Sequence, residues 1–138
     1  MTRWFPNGMP QPMANKESLP FWQAAAEHKL VVQRCNQCEH MQLPPSPICS
    51  ECRSDDTHFH EVSGRGEVYT YTTVHRPIAM DQKVPFVVAV ITLEGAGGVR
   101  MISNIVEVEP EELEIGMPVR VAWEDMSDDL AIPRFKRA

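Results

Sequence analysis

Cys35-Asn-Gln-Cys38-Glu-His-Met-Gln-Leu-Pro-Pro-Ser-Pro-Ile-Cys49-Ser-Glu-Cys52 contains every cysteine of the chain, arranged as two Cys-x2-Cys pairs with ten residues between them. Two residues between cysteines let both thiolates of a pair reach one ion from a tight turn. Two such turns complete a tetrahedral four-sulfur shell. The gap between the pairs suffices for one short hairpin, and Met41-Gln-Leu-Pro-Pro-Ser-Pro47 is too rich in proline to be helical. A lone Cys-x2-Cys would say little, whereas two in tandem specify a metal site. Zinc is the expected ion; iron fits the same shell. A thioredoxin-type redox role would need one pair in a βαβ setting. Four thiolates leave no open position, so the site is expected to be structural, with one Zn2+ per chain held by Cys35, Cys38, Cys49 and Cys52.

On the C-terminal side of this ribbon the pattern is all β. Glu67-Val-Tyr-Thr-Tyr-Thr-Thr-Val-His75 is dense in β-branched and aromatic residues, and Phe86-Val-Val-Ala-Val-Ile-Thr-Leu93 is continuously apolar. Gly95-Ala-Gly-Gly98 is a turn into the strand Val99–Val106. A single helical turn fits Glu109–Leu113, a strand follows Gly116, and a last short strand runs to Phe135. Three strands, a helical turn and one or two further strands match a small Greek-key barrel of the OB type. Closure also removes the exposed edges that such apolar strands would otherwise present.

On the N-terminal side, Leu30-Val-Val-Gln-Arg34 is a strand leading into the first cysteine pair. Residues 18–29 read as a short helix, with Ser18 as cap, Pro20 in the first turn, and Phe21, Trp22, Ala25 and Ala26 on one face. His28 and Lys29 complement its C-terminal end. Residues 1–15 show no periodicity and are read as an extended arm. Trp4 and Phe5 would be wasted in a free tail, so the arm is expected to dock, on this chain or on a partner. The reading is thus mainly β: an arm and helix over residues 1–29, a rubredoxin-like zinc ribbon over 30–63, and an OB-fold barrel over 64–138.

Composition narrows the function. The chain has 138 residues, of which 43% are hydrophobic, enough for a real core and too many for a disordered segment. No apolar run approaches the ~18 residues of a membrane span. The first residues lack the apolar stretch of a secretory signal. A cytoplasmic setting is therefore expected, where thiols stay reduced and disulfides are disfavoured against metal ligation. Formal net charge is −6. Between Glu107 and Asp129, nine acidic side chains face one basic residue, Arg120, and read as a solvated face. Such a balance repels phosphate backbones.

The remaining motifs are weak. Gly95–Gly98 precedes a strand rather than a helix N-terminus, so it is no phosphate loop. No nucleophile elbow or paired-histidine protease signature occurs. With four cysteines completing the shell, His40, His58 and His60 are not needed as ligands. His75 and Arg76 end a strand, where loops carry function, and are the candidate contacts for a polar ligand.

From Leu19 to Phe135 the chain resembles the family of zinc-ribbon and OB-fold proteins found beside thiolase-like enzymes, long known as a domain of unknown function. The likeness rests on Pro20-Phe21-Trp22, Leu30-Val-Val-Gln-Arg-Cys35, Pro44-Pro45, Ser63-Gly-Arg-Gly-Glu-Val-Tyr-Thr-Tyr-Thr72, Pro85-Phe-Val-Val-Ala89, Gly116-Met-Pro-Val119 and Ile132-Pro-Arg-Phe135. One departure is Glu39, where the family usually has glycine after the second cysteine. The resemblance implies an accessory, non-catalytic subunit in a hetero-oligomer with a thiolase or thiolase-like aldolase. Such a subunit supports assembly and the binding of acyl-CoA at a shared interface, with aromatic and steroid side-chain thioesters among the family's substrates. His75 and Arg76 are then the expected contacts to a CoA thioester. The competing reading is a single-strand nucleic-acid module with Tyr69, Tyr71 and Phe86 as stacking platforms. That reading needs a basic groove, and the only basic cluster is Arg134-Phe-Lys-Arg137.

Overall fold

The computed structural model describes residues 3–6 and 9–138. Met1, Thr2, Asn7 and Gly8 of the expected arm lie outside the described residues. Helix α1 (Leu19–Ala26) is followed by the ribbon strands β1 (Val31–Cys35), β2 (Met41–Gln42) and β3 (Thr57–Glu61). The barrel strands are β4 (Arg65–Val74), β5 (Phe86–Leu93), β6 (Arg100–Ile105), β7 (Pro118–Ser127) and β8 (Leu130–Arg137), with a 3-10 turn at Pro110–Glu112.

Helix α1 starts differently from the expectation. Ser18 makes no side-chain cap bond to the helix. Instead Asn15 Oδ1 accepts from Ser18 N (2.7 Å), and Ser18 Oγ accepts from Asn15 N (3.0 Å). Leu19 N also donates to Asn15 O (2.9 Å). Asn15 is therefore the effective cap, one turn upstream, and the pair is reciprocal in the manner of a capping box. At the other end, His28 N donates to Ala25 O and Lys29 N to Ala24 O, a Schellman closure. His28 occupies its left-handed position with φ 60°. Glycine is usual there. Here the imidazole stacks on the Trp123 indole at 5.4 Å and bonds Asp125 Oδ1 at 2.7 Å, so the helix end is tied to the barrel. Phe21 and Ala25 are buried, while Trp22 lies half-buried with its ring edge-to-face on Phe21.

The ribbon sheet runs β2-β1-β3, and the barrel closes in the order β4-β5-β6-β8-β7. Closure uses β4 against β7, from Arg65 opposite Arg120 to Glu67 opposite Pro118, and a single parallel pair, Ile105 opposite Phe135, between β6 and β8. This is the five-strand order expected of an OB barrel. Strand β5 is apolar throughout, yet its burial alternates: Val87, Ala89, Ile91 and Leu93 point inward. One apolar cluster joins these residues to Val119 and Phe135 of the barrel, to Val31 and Val32 of the ribbon, and to Phe21 of the helix. The chain enters β4 through Gly64, which has φ +81°. A Cβ there would lie 2.5 Å from Val121 Cγ1, so both backbone angle and space require glycine.

Candidate metal centre

Each cysteine pair sits on a knuckle, and the two knuckles repeat one another. Cys35 N bonds His40 O and Glu39 N bonds Cys35 O; in the second, Cys49 N bonds Ser54 O and Arg53 N bonds Cys49 O. The residue after the second cysteine is left-handed in both, with φ 65° at Glu39 and 64° at Arg53. This explains why glycine suits the position and what its absence entails. Glu39 adopts the angle anyway, and its exposed carboxylate meets Arg34 NH2 at 3.2 Å.

Backbone amides converge on the sulfurs. Gln37 N and Cys38 N point at Cys35 Sγ at 3.3 and 3.5 Å, and Glu51 N at Cys49 Sγ at 3.4 Å. All four Sγ atoms lie within 4.8 Å of one another, with Cys35 to Cys52 at 3.5 Å and Cys38 to Cys49 at 3.6 Å. A zinc–sulfur bond of ~2.3 Å implies tetrahedral edges of ~3.8 Å, so the cage fits one such ion. The amide of Cys38, helped by that of Gln37 against burial, holds the Cys35 thiol down to about 7, and the amide of Cys52 lowers Cys49. His40 N–H favours the Cys38 thiolate. Burial and the neighbouring sulfurs outweigh it and push that thiol up to about 12. Cys35 and Cys49 are thus drawn toward the thiolate, while Cys38 is opposed by burial and neighbouring sulfurs, an opposition a cation would relieve. When bound, zinc supplies the cross-link between the knuckles and offers no position for substrate.

The histidines stay outside this shell. His40 Nε2 meets Ser50 Oγ at 3.1 Å. His58 Nδ1 donates to Asn36 Oδ1 at 2.6 Å, and Asn36 Nδ2 donates to Asp56 Oδ1 at 2.8 Å. The amides of Asn36 and Gln37 hold the Asp56 carboxyl below its ordinary value. That chain of bonds fastens the first knuckle to the start of β3.

A groove of about 580 Å³ lies between α1, the proline loop and the barrel. Its apolar walls include Trp22, Leu43, Pro45, Val88 and Ile132; Arg100, Asn104 and Arg134 supply polar groups. His75 and Arg76 do not line it. They follow β4 on an exposed stretch with Ile78 and Met80, both more than half exposed. The three aromatic platforms of the nucleic-acid reading are also dispersed. Tyr71 is half-buried and donates to Leu113 O, and Phe86 packs edge-to-face on Phe5. Tyr69 is 50% exposed, but the Arg100 guanidinium covers its ring at 3.8 Å.

One cluster escaped the sequence reading. Glu124, grouped there with solvated acids, is 0% exposed. Its Oε1 accepts from Arg134 Nε at 3.1 Å and NH2 at 2.7 Å, and Arg134 NH1 donates to Asn104 Oδ1 at 2.8 Å. Its Oε2 accepts from the backbone N–H of Trp4 and, at 2.8 Å, of Phe5. The expected docking of the arm therefore takes place on this chain's own barrel. Nothing in the local pattern marks it: Glu124 lies on the outward row of β7 with Ala122, opposite Ile132, and is buried there by the arm.

Two family models match consecutive parts of the chain: the rubredoxin-like zinc ribbon domain of ChsH2 over residues 22–58, and the C-terminal OB-fold domain of ChsH2 over residues 59–124. A probable enoyl-CoA hydratase alpha subunit of Thermomonospora curvata is 36% identical over 129 residues, 94% of this chain and 40% of that protein. The chain thus spans about two-fifths of that relative's length. A DUF35 domain-containing scaffold protein of Methanocaldococcus jannaschii is 38% identical over 103 residues, 72% of this chain and 71% of that one. Among solved structures, a chain described as Ltp2-ChsH2(DUF35) aldolase superposes with TM-score 0.84 at 35% identity, covering 92% of this chain and 98% of that one.

Proposed function

The chain belongs to the ChsH2-type DUF35 family of zinc-ribbon and OB-fold proteins, and on that footing we propose that it is a non-catalytic subunit of a thiolase-like or aldolase complex acting on acyl-CoA thioesters. The observation that carries this reading is the likeness, over nearly the whole of both chains, to the DUF35 chain of an aldolase. The site chemistry agrees with it. Thiolase-type acyl transfer needs a free cysteine thiolate beside a base, and every cysteine here stands in the metal cage. The catalytic nucleophile then belongs to the partner, and this chain shapes where the thioester lies. His75 and Arg76 are the proposed contacts to the CoA thioester, reaching it from an exposed loop at the shared interface.

Co-expression with a thiolase-like protein from the same source tests the assignment. The two should co-elute at micromolar concentration, as a stable interface requires. Across a panel of acyl-CoA thioesters, turnover should appear in the mixture and be absent from this chain alone. Separate elution, or turnover by the purified chain, would refute the proposal.

Charge and geometry both oppose the nucleic-acid alternative. Single-stranded oligonucleotides at physiological salt should bind no more tightly than about 0.1 mM, the weak end of non-specific association. A tight complex with steep salt dependence, measured by fluorescence anisotropy, would favour that alternative.

A further inference from the structure

We infer that the barrel carries a main-chain capture site, built from Glu124, Arg134 and Phe86, and that the Trp4-Phe5 arm is its intramolecular ligand. The argument begins with the carboxylate. Glu124 lies on the outward row of β7, opposite Ile132, yet is fully buried, and a buried carboxylate is costly unless both oxygens find donors. Arg134 satisfies Oε1 alone. Among the described residues, the donors to Oε2 are two successive backbone amides of the arm, more than a hundred residues away in sequence. A valine or isoleucine at this outer-face position would pack under the arm without this demand. The carboxylate is accounted for by the arm segment it receives.

Recognition of the side chain is equally specific. The Phe5 ring lies under the Arg134 guanidinium at 4.5 Å, and the Phe86 ring meets it edge-on at 5.9 Å. A cation over one face and an aromatic edge against the ring select an aromatic residue. The two amides ask for a bend that turns successive N–H groups to the same side, as the backbone does at Phe5. The ligand class is therefore a bent peptide segment with an aromatic residue at the second of two consecutive free N–H groups. Arg134 also lines the groove beside α1. The captured arm consequently holds a residue of the groove wall in place, with Asn104 fixed in turn by its bond to Val87 O at 2.7 Å.

Amide exchange measured by NMR on the full chain tests this. The Trp4 and Phe5 amides should exchange about tenfold or more slowly than in an unstructured peptide. Phe5→Ala should return the Trp4 amide to within about threefold of the free rate, with β5 amides unchanged. Glu124→Gln should release the arm too; if that variant folds poorly, Phe5→Ala still decides. In the Phe5→Ala chain, a synthetic peptide of residues 1–15 at about millimolar concentration, the effective concentration of a short tether, should restore the ring-shifted Arg134 Nε–H resonance. Free-peptide exchange at Trp4 and Phe5 in the wild type, protection surviving Phe5→Ala, or no response to the peptide would each overturn the inference.

Discussion

Cys49→Ser should yield a protein that has lost its metal and its ribbon but keeps its barrel. Structural zinc contributes on the order of 10 kcal/mol or more to the folding of such a site. Apart from the ion, the knuckles are held by β1–β3 pairing and the His58–Asn36–Asp56 bonds, too few to replace it, since β2 is two residues long and the loop between the pairs is mostly bends. Elemental analysis should give one zinc per wild-type chain and essentially none in the variant. Exchange protection should vanish in β1, β2 and β3 and persist in β4 to β8. The barrel should nevertheless soften near Val31 and Val32, because those ribbon residues share its apolar cluster. A strong chelator should reproduce the effect in the wild type. A metal-free wild-type protein with the same ribbon, or a variant that retains full zinc, would contradict the structural role of the cage.

Arg134→Ala should be the most damaging single change outside the metal cage. It strips the donors from Glu124 Oε1, leaves the carboxylate fully buried, and removes the cation over Phe5. Breaking a buried pair by removing one partner costs roughly 3–5 kcal/mol. For a chain of this size that corresponds to a fall in Tm of roughly 10–20 °C. The double variant Glu124→Leu with Arg134→Met should be less damaged than the single one, since no charge is then stranded. Thermal unfolding followed by circular dichroism checks both. An Arg134→Ala chain melting within about 2 °C of wild type, a stability loss well under 1 kcal/mol, would mean the pair does not anchor the barrel.

Glu39 shows how far local sequence carries. Its place after a second cysteine implied a special turn, and the structure puts it in the left-handed region, as it does Arg53. The capping of α1 shows the opposite. Ser18, Pro20 and an apolar face called for a helix, yet the cap is Asn15, because Asn15 and Ser18 satisfy one another's backbone amides first. Phe21 and Trp22 read alike as residues of one helix face; packing buries the former and leaves the latter half-exposed in the groove wall.

The sequence by itself determined the metal cage, the order of the strands and the closed barrel they form. Cys-x2-Cys spacing, β-branched runs and glycine turns act over a few residues, where covalent geometry leaves few choices. Only the tertiary structure decided that Glu124 is buried rather than one of a solvated acidic group, that the arm closes on its own barrel, and that Arg134 joins the arm site to the groove. Each of these rests on contacts between segments far apart in the chain, Trp4 with Glu124 or Asn104 with Arg134. A charged side chain's preference for water is overruled only when folding brings donors from such distances to meet it.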